Sequence, residues 1–153
     1  MSGVKILFAD CDGVLNNQQT FSRQPGESDP IDPAMLDRVK RIIAETGCKI
    51  VLSSTWRKFD RSMKKVQSFL PILDITPDMM LSGGASACER GHEIKAWLDK
   101  QNFKSNFWVS KYAILDDSND MLESQIPNFF RTDWMIGLTD EITDRVIKHL
   151  NAD

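Results

Sequence analysis

The chain has 153 residues, 41% of them hydrophobic and 27% charged, and carries a net charge of −3 at pH 7. That balance is ordinary for one globular domain, expected over residues 1–153, and the three scattered cysteines fit reduced thiols better than a disulfide frame or a zinc site. With no dense Lys/Arg block and no apolar run of membrane-spanning length, the composition argues against gripping long nucleic acid or crossing a bilayer, and a cytoplasmic location is expected.

The opening stretch, Lys5 to Asn16, is the most informative. An apolar run from Ile6 to Ala9 empties into Asp10-Cys11-Asp12-Gly13. A short run apolar on both faces reads as a buried parallel strand, which puts both carboxylates at its C-terminal tip, the edge where open α/β sheets bind ligands. Like charges held so close require a hard cation such as magnesium or a raised pKa. Taken alone, Asp12-Gly13 would equally serve as a plain turn.

Residues 16–32 are polar and read as a surface loop or flap. Asp32-Pro33 then gives an N-cap and a first-turn proline, with Leu36, Val39, Ile42 and Ile43 on one face and Gly47 closing the helix. Cys48 to Ser53 is a second apolar strand, completing a βαβ crossover. Its tip, Ser53-Ser54-Thr55-Trp56-Arg57, offers hydroxyls and a guanidinium suited to a phosphate; Ser54, Thr55 and Arg57 are the candidates. The competing reading is a helix cap beside a surface arginine.

A helix over Lys58–Leu70 would turn Met63, Val66, Phe69 and Leu70 inward, and Pro71 ends it. Ile72 to Leu81 has room for a short strand, and Ser82 to Ser86 reads as a flexible loop without a phosphate-loop pattern. In the next helix, Glu89–Gln101, Ile94, Trp97 and Leu98 are inward. Arg90 shares their face, whereas Lys95 is turned roughly 100° away by the helical repeat, so Arg90 is the first candidate cation and Lys95 the second.

Tyr112 to Leu115 repeats the opening grammar and ends in Asp116 and Asp117, with Asp120 a turn further on. Oxygen ligands gathered at strand ends are what magnesium takes. A last short strand is expected within Ile126–Asp133, then a helix capped by Thr139 with Ile142, Val146 and Leu150 inward.

Asp10-Cys-Asp-Gly-Val, a strand ending in serine, a basic residue opening a helix, and Leu115-Asp-Asp with Asp120 together resemble the haloacid dehalogenase-like (HAD) superfamily of phosphatases and phosphotransferases. Val51-Leu-Ser-Ser-Thr-Trp-Arg57, Arg90-Gly-His-Glu-Ile and Arg131-Thr-Asp resemble more narrowly its small, capless members, among them phosphatase domains of RNA-repair proteins. Arginine stands where that superfamily usually has lysine. The resemblance implies a three-layer Rossmann-like α/β fold, a mostly parallel sheet with helices on both faces and no large cap.

It further implies a magnesium-dependent phosphomonoesterase. Asp10 would be the nucleophile and Asp12 the general acid and base, and Asp10, Asp12 through its backbone carbonyl, and Asp116 or Asp117 would be the metal ligands. Ser54 and Arg90 would hold phosphoryl oxygens. A capless pocket suits bulky phosphorylated substrates, so a polynucleotide 3′-phosphatase is expected, with a nucleotide or small-metabolite phosphatase as the alternative. Asn16, Asn17, Arg23, Trp56 and Arg57 are candidates to touch the substrate beyond its phosphate. Three rivals are a receiver module, a calcium loop and a non-catalytic phosphate-binding relative. The first lacks its strand-ending lysine here, Val14 and Leu15 occupy ligand positions of the second, and the third is disfavoured by the two opening aspartates.

Overall fold

The computed structural model describes residues 3–79, 89–104 and 107–153. Five parallel strands form one sheet: β1 (Gly3–Ala9), β2 (Lys49–Leu52), β3 (Ile72–Ile75), β4 (Trp108–Asp116) and β5 (Phe129–Arg131), in the order β3-β2-β1-β4-β5. The apolar runs become strands because both faces are covered, so no polar alternation is needed. The chain steps outward from β1 to β2 and β3, then returns across the sheet to β4 on the other side of β1. That reversal opens a crevice at the C-terminal ends of β1 and β4.

Alternate residues of β1 feed two cores. Leu7 and Ala9 pack with Val39 and Ile42 of α2 (Pro33–Thr46), Val66 of α3 (Asp60–Phe69), and Val146 and Leu150 of α5 (Asp140–Asn151). Ile6 and Phe8 face the other way, onto Ile94 and Trp97 of α4 (Glu89–Lys104), with the Phe8 and Trp97 rings edge to face at 5.4 Å. The expected three-layer arrangement is therefore the observed one. Its helix ends follow the expected signals: Asp32 accepts from the Ala34 N–H at 2.8 Å, Gly47 adopts φ +72°, and Thr139 accepts from the Ile142 N–H.

Four local expectations change. The flap holds a short helix, α1 (Gln18–Arg23), because the Asn17 side chain caps it reciprocally with Thr20. Thr55–Lys58 forms a single 3-10 turn, so α3 starts only at Asp60. Phe69, expected inward, is 44% exposed in the last turn of α3, where it lines a surface groove with Leu36 and Lys65. The fourth strand begins at Trp108, four residues before Tyr112. Cys11 and Cys48 are buried free thiols; Cys88 and the Ser82–Ser86 loop lie outside the described residues. No described helix is long and apolar enough to cross a membrane.

Candidate active site

The crevice is lined by the residues that follow the strands. Ala9 is in register with Leu52 on one side and Leu115 on the other, and Leu52 with Ile75, so Asp10, Ser53, Asp116 and Thr76 stand side by side at the sheet edge. Backbone bonds continue that register one step beyond the strands: Asp10 N–H donates to Leu115 O, Ser53 N–H to Ala9 O and Thr76 N–H to Leu52 O. Two residues before them, Phe8, Val51 and Ile114 all belong to the core under α4. The row therefore presents its side chains on the face where α4 begins.

Arg90 enters from that helix. Its Nη1 lies 3.1 Å from Asp10 Oδ1 and 2.8 Å from Asp116 Oδ2, bridging two strand tips with one nitrogen. Asp120 holds the helix start in place: Oδ2 accepts from the Arg90 N–H and its carbonyl from the Gly91 N–H. A Cβ on Gly91 would come within 2.7 Å of Leu122 N, so only glycine lets α4 begin this close. Asp120 thus braces the cation, and Arg90 rather than Lys95 reaches the edge. Lys95 pairs with Asp99 on the exposed side of α4.

Asp10, Asp116 and Asp117 each offer a carboxylate oxygen within 4.8 Å of the others. Burial, aided by Asp116, pushes the Asp10 carboxyl up to about 7, while Arg90 and the Cys11 N–H oppose the rise. Burial likewise raises Asp116 and Asp117, Asp117 being pushed further by Asp10. Burial works against the charge of Arg90, yet Asp116 and Asp10 outweigh it and raise its pKa. With all three carboxyls ionised, as a bound cation requires, one guanidinium leaves two negative charges, and the donors are hard oxygens. The set fits a divalent magnesium ion on charge and on ligand chemistry.

The two adjacent aspartates divide the work. Asp116 is fully buried and occupied, Oδ2 by Arg90 and Oδ1 by the Ser118 N–H. Asp117 instead closes over the first loop: a Cβ on Gly13 would stand 2.5 Å from its Oδ2, and Gly13 has φ +81°. Glycine is required there twice, for its backbone and for the approaching carboxylate. The geometry thus leaves Asp117 the freer oxygen donor.

Asp12 is exposed at the loop and held by two donors. Asn16 Nδ2 donates to Oδ1 at 3.0 Å and Trp56 Nε1 to Oδ2 at 3.3 Å. Asn16 is itself locked, donating to Pro30 O and accepting from the Gly13 N–H. Asn16 and Trp56, candidates for touching substrate, therefore orient Asp12. Asn17 caps α1 and donates to Ile136 O, and Arg23 bonds Gln19 on the same helix.

The two serines at the tip of β2 differ in their partners. Ser54 Oγ accepts from the Trp56 N–H and so caps the 3-10 turn, as the competing reading had it. Ser53 Oγ, fully buried beside Asp10, has no hydrogen-bond partner among the described residues. A buried hydroxyl left unmatched in that row has a ligand oxygen as its natural partner. Sequence reasoning passed over it because two adjacent serines look alike, although strand alternation separates them. Thr55 is exposed and lines a small cavity shared with Arg90 and Asp120.

Arg57, expected as a phosphate contact, is buried and lines the small cavity beside Arg90, with its donors already engaged. Its five N–H groups go to the carbonyls of Ser53, Ser54, Thr76 and Pro77 and to Glu93 Oε2 at 2.9 Å, all internal. It ties the tips of β2 and β3 to α4. A second group of carboxylates, Asp78, Glu89 and Glu93, is countered by Lys58 and Arg57.

Searches among curated proteins and among solved structures matched nothing. A family model does match, over residues 6–142, and that span contains every residue of the crevice just described. The chain belongs to the family of the HAD domain in Swiss Army Knife RNA repair proteins, a small HAD-like domain of the phosphatase type.

Proposed function

We propose that this domain is a magnesium-dependent phosphomonoesterase that works through an aspartyl-phosphate on Asp10. The observation that carries the reading is the convergence of Asp10, Asp116 and Asp117 at the sheet's reversal point with Arg90 laid across two of them. Asp10 and Asp117, with the Asp12 backbone carbonyl, would hold magnesium, which when bound neutralises charge on the transferred group.

An Asp10 carboxylate oxygen attacks phosphorus while the ester P–O bond breaks. Asp12 delivers its proton to the departing oxygen. In the second half, the Asp12 carboxylate takes a proton from the water that attacks the aspartyl-phosphate, so the P–O bond to Asp10 breaks and both carboxyls return to their starting forms. Arg90 and the Ser53 hydroxyl hold the non-bridging oxygens of the transferred phosphoryl group, and Asn16 with Trp56 keeps Asp12 in line with the leaving group.

The substrate proposed is a nucleotide or the phosphorylated 3′ end of a polynucleotide, in keeping with the RNA-repair proteins for which the family is described. Phosphate release measured with magnesium on 3′-phosphorylated oligonucleotides, mononucleotides and sugar phosphates tests this. Release from the first two above the third is expected. Equal, feeble rates on all three contradict the substrate, and an unchanged rate in Asp10→Asn contradicts the nucleophile.

A further inference from the structure

A cavity of about 650 Å³ opens beside the crevice, and Asp117 belongs to the lining of both. Its size is that of pockets which hold small organic ligands. Part of the wall is the tight turn Asp133–Gly137, closed by the Gly137 N–H to Asp133 O bond and an antiparallel bridge between the same two residues. This turn is fastened on both sides of the catalytic loop. Asn17 Nδ2 donates to Ile136 O at 2.8 Å, and the Leu138 N–H donates to Val14 O.

On that fastened turn Trp134, Met135 and Ile136 stand 46%, 50% and 54% exposed. Three consecutive large apolar side chains in water, on a rigid turn at the mouth of a site, mark a contact surface. Trp134 and Ile136 line the cavity, joined by Ile142. The polar lining is mixed: Arg131 and Arg145 against Asp133 and Glu141. A clamp for a polyanion would show one sign of charge, whereas this wall suits a group with flat apolar faces and an edge of both donors and acceptors.

The lining holds one more pointer. Thr132, 3% exposed, contributes a buried Oγ1 without a hydrogen-bond partner among the described residues. Such a hydroxyl costs the folded chain stability, so a ligand that completes it gains by doing so.

We infer that this cavity receives the nucleoside attached to the scissile phosphate, with the base against Trp134 and Ile136. The inference rests on the phosphatase reading for the placing of the phosphate, but the cavity's own ligand can be tested separately. A mononucleotide and the last nucleotide of a strand present the same nucleoside, and in a strand the earlier nucleotides continue from its 5′ side.

The test uses the full chain with magnesium, three phosphate monoesters (adenosine 3′-monophosphate, a 3′-phosphorylated oligoribonucleotide and glucose 6-phosphate) and acetyl phosphate, an acyl phosphate without a sugar or base. In parallel, adenosine alone is titrated while the indole N–H resonances are followed by NMR. The Trp134 resonance should shift on adding adenosine. Trp134→Ala should lower the ratio of kcat/KM for nucleoside esters over acetyl phosphate about tenfold, the size of one base–aromatic stack. Thr132→Val should weaken adenosine binding while keeping or raising Tm, which a structural role for the hydroxyl would not do.

A preference for the oligonucleotide over the mononucleotide identifies a strand end as the source, and the reverse identifies a free nucleotide. If adenosine shifts Trp134 but no ester is cleaved, the nucleoside cavity stands and the phosphatase reading falls. If acetyl phosphate is cleaved while the ratio is unmoved by Trp134→Ala and adenosine leaves Trp134 unshifted, the cavity assignment is overturned and the phosphatase reading stands. Glucose 6-phosphate favoured over both nucleoside esters overturns it as well.

Discussion

Arg90 Nη1 lies 2.8 Å from Asp116 Oδ2, and Asp116 is fully buried, so this pair carries the charge balance under the crevice. Removing the guanidinium leaves a buried carboxylate without its cation, a change that typically costs about 3–5 kcal/mol. Arg90→Ala should therefore lower both stability and turnover. Arg90→Lys should recover much of the stability and part of the rate. Urea denaturation beside steady-state kinetics checks this, and an Arg90→Ala protein of unaltered stability would show that the pair is not what balances Asp116.

The Asp10 carboxyl, pushed up to about 7 from its ordinary 3.8, links stability to pH in a definite direction. Between those values the folded chain keeps a proton that the unfolded chain has lost. The contribution is full below the unfolded pKa and is lost as pH rises through 7. Metal-free protein should lose several degrees of Tm between about pH 5 and 8. Magnesium, which requires the deprotonated carboxylates, should raise Tm most at the alkaline end and bind more weakly as pH falls below 7. Scanning fluorimetry across that range with and without magnesium reads both trends.

Ser53 and Ser54 should separate cleanly. Ser54→Ala removes the cap on the 3-10 turn and should cost about 0.5–2 kcal/mol of stability. Ser53→Ala removes a hydroxyl without a described partner, so stability should hold while kcat/KM falls about tenfold, the loss of one hydrogen bond to a charged group. The opposite pattern would return the phosphate contact to Ser54.

Asn16→Asp probes the positioning of Asp12. The new carboxylate can still accept from the Gly13 N–H, but it has no hydrogen to give Asp12 and places a like charge beside it. A fall in kcat of about tenfold or more with little change in KM is expected, a part of the roughly 10²- to 10⁴-fold that a well-placed acid–base group contributes. A change in KM alone would make Asn16 a substrate contact instead.

The strand tips and the layers could be read in advance because an apolar run that stops in carboxylates leaves few alternatives. Gly47, Asp32-Pro33 and Thr139 likewise act through their own backbone neighbours, and each marked a real helix end. What stayed hidden depended on distant partners. Nothing near Arg57 in the chain says that its guanidinium will be filled by carbonyls of residues 76 and 77 and by Glu93. Phe69 fits the helical period, but the period cannot show that the last turn of α3 opens onto a surface groove. The division between Asp116 and Asp117 needed Arg90 on one and Gly13 under the other, contacts from two remote segments.

The central claim is that Asp10 takes the phosphoryl group. Acid quenching during turnover with magnesium, followed by mass spectrometry of the peptides, should find the phosphoryl group on Asp10 and should find none in Asp10→Asn, which should release no phosphate. A phosphoryl group on another residue, or wild-type turnover by Asp10→Asn, would contradict it.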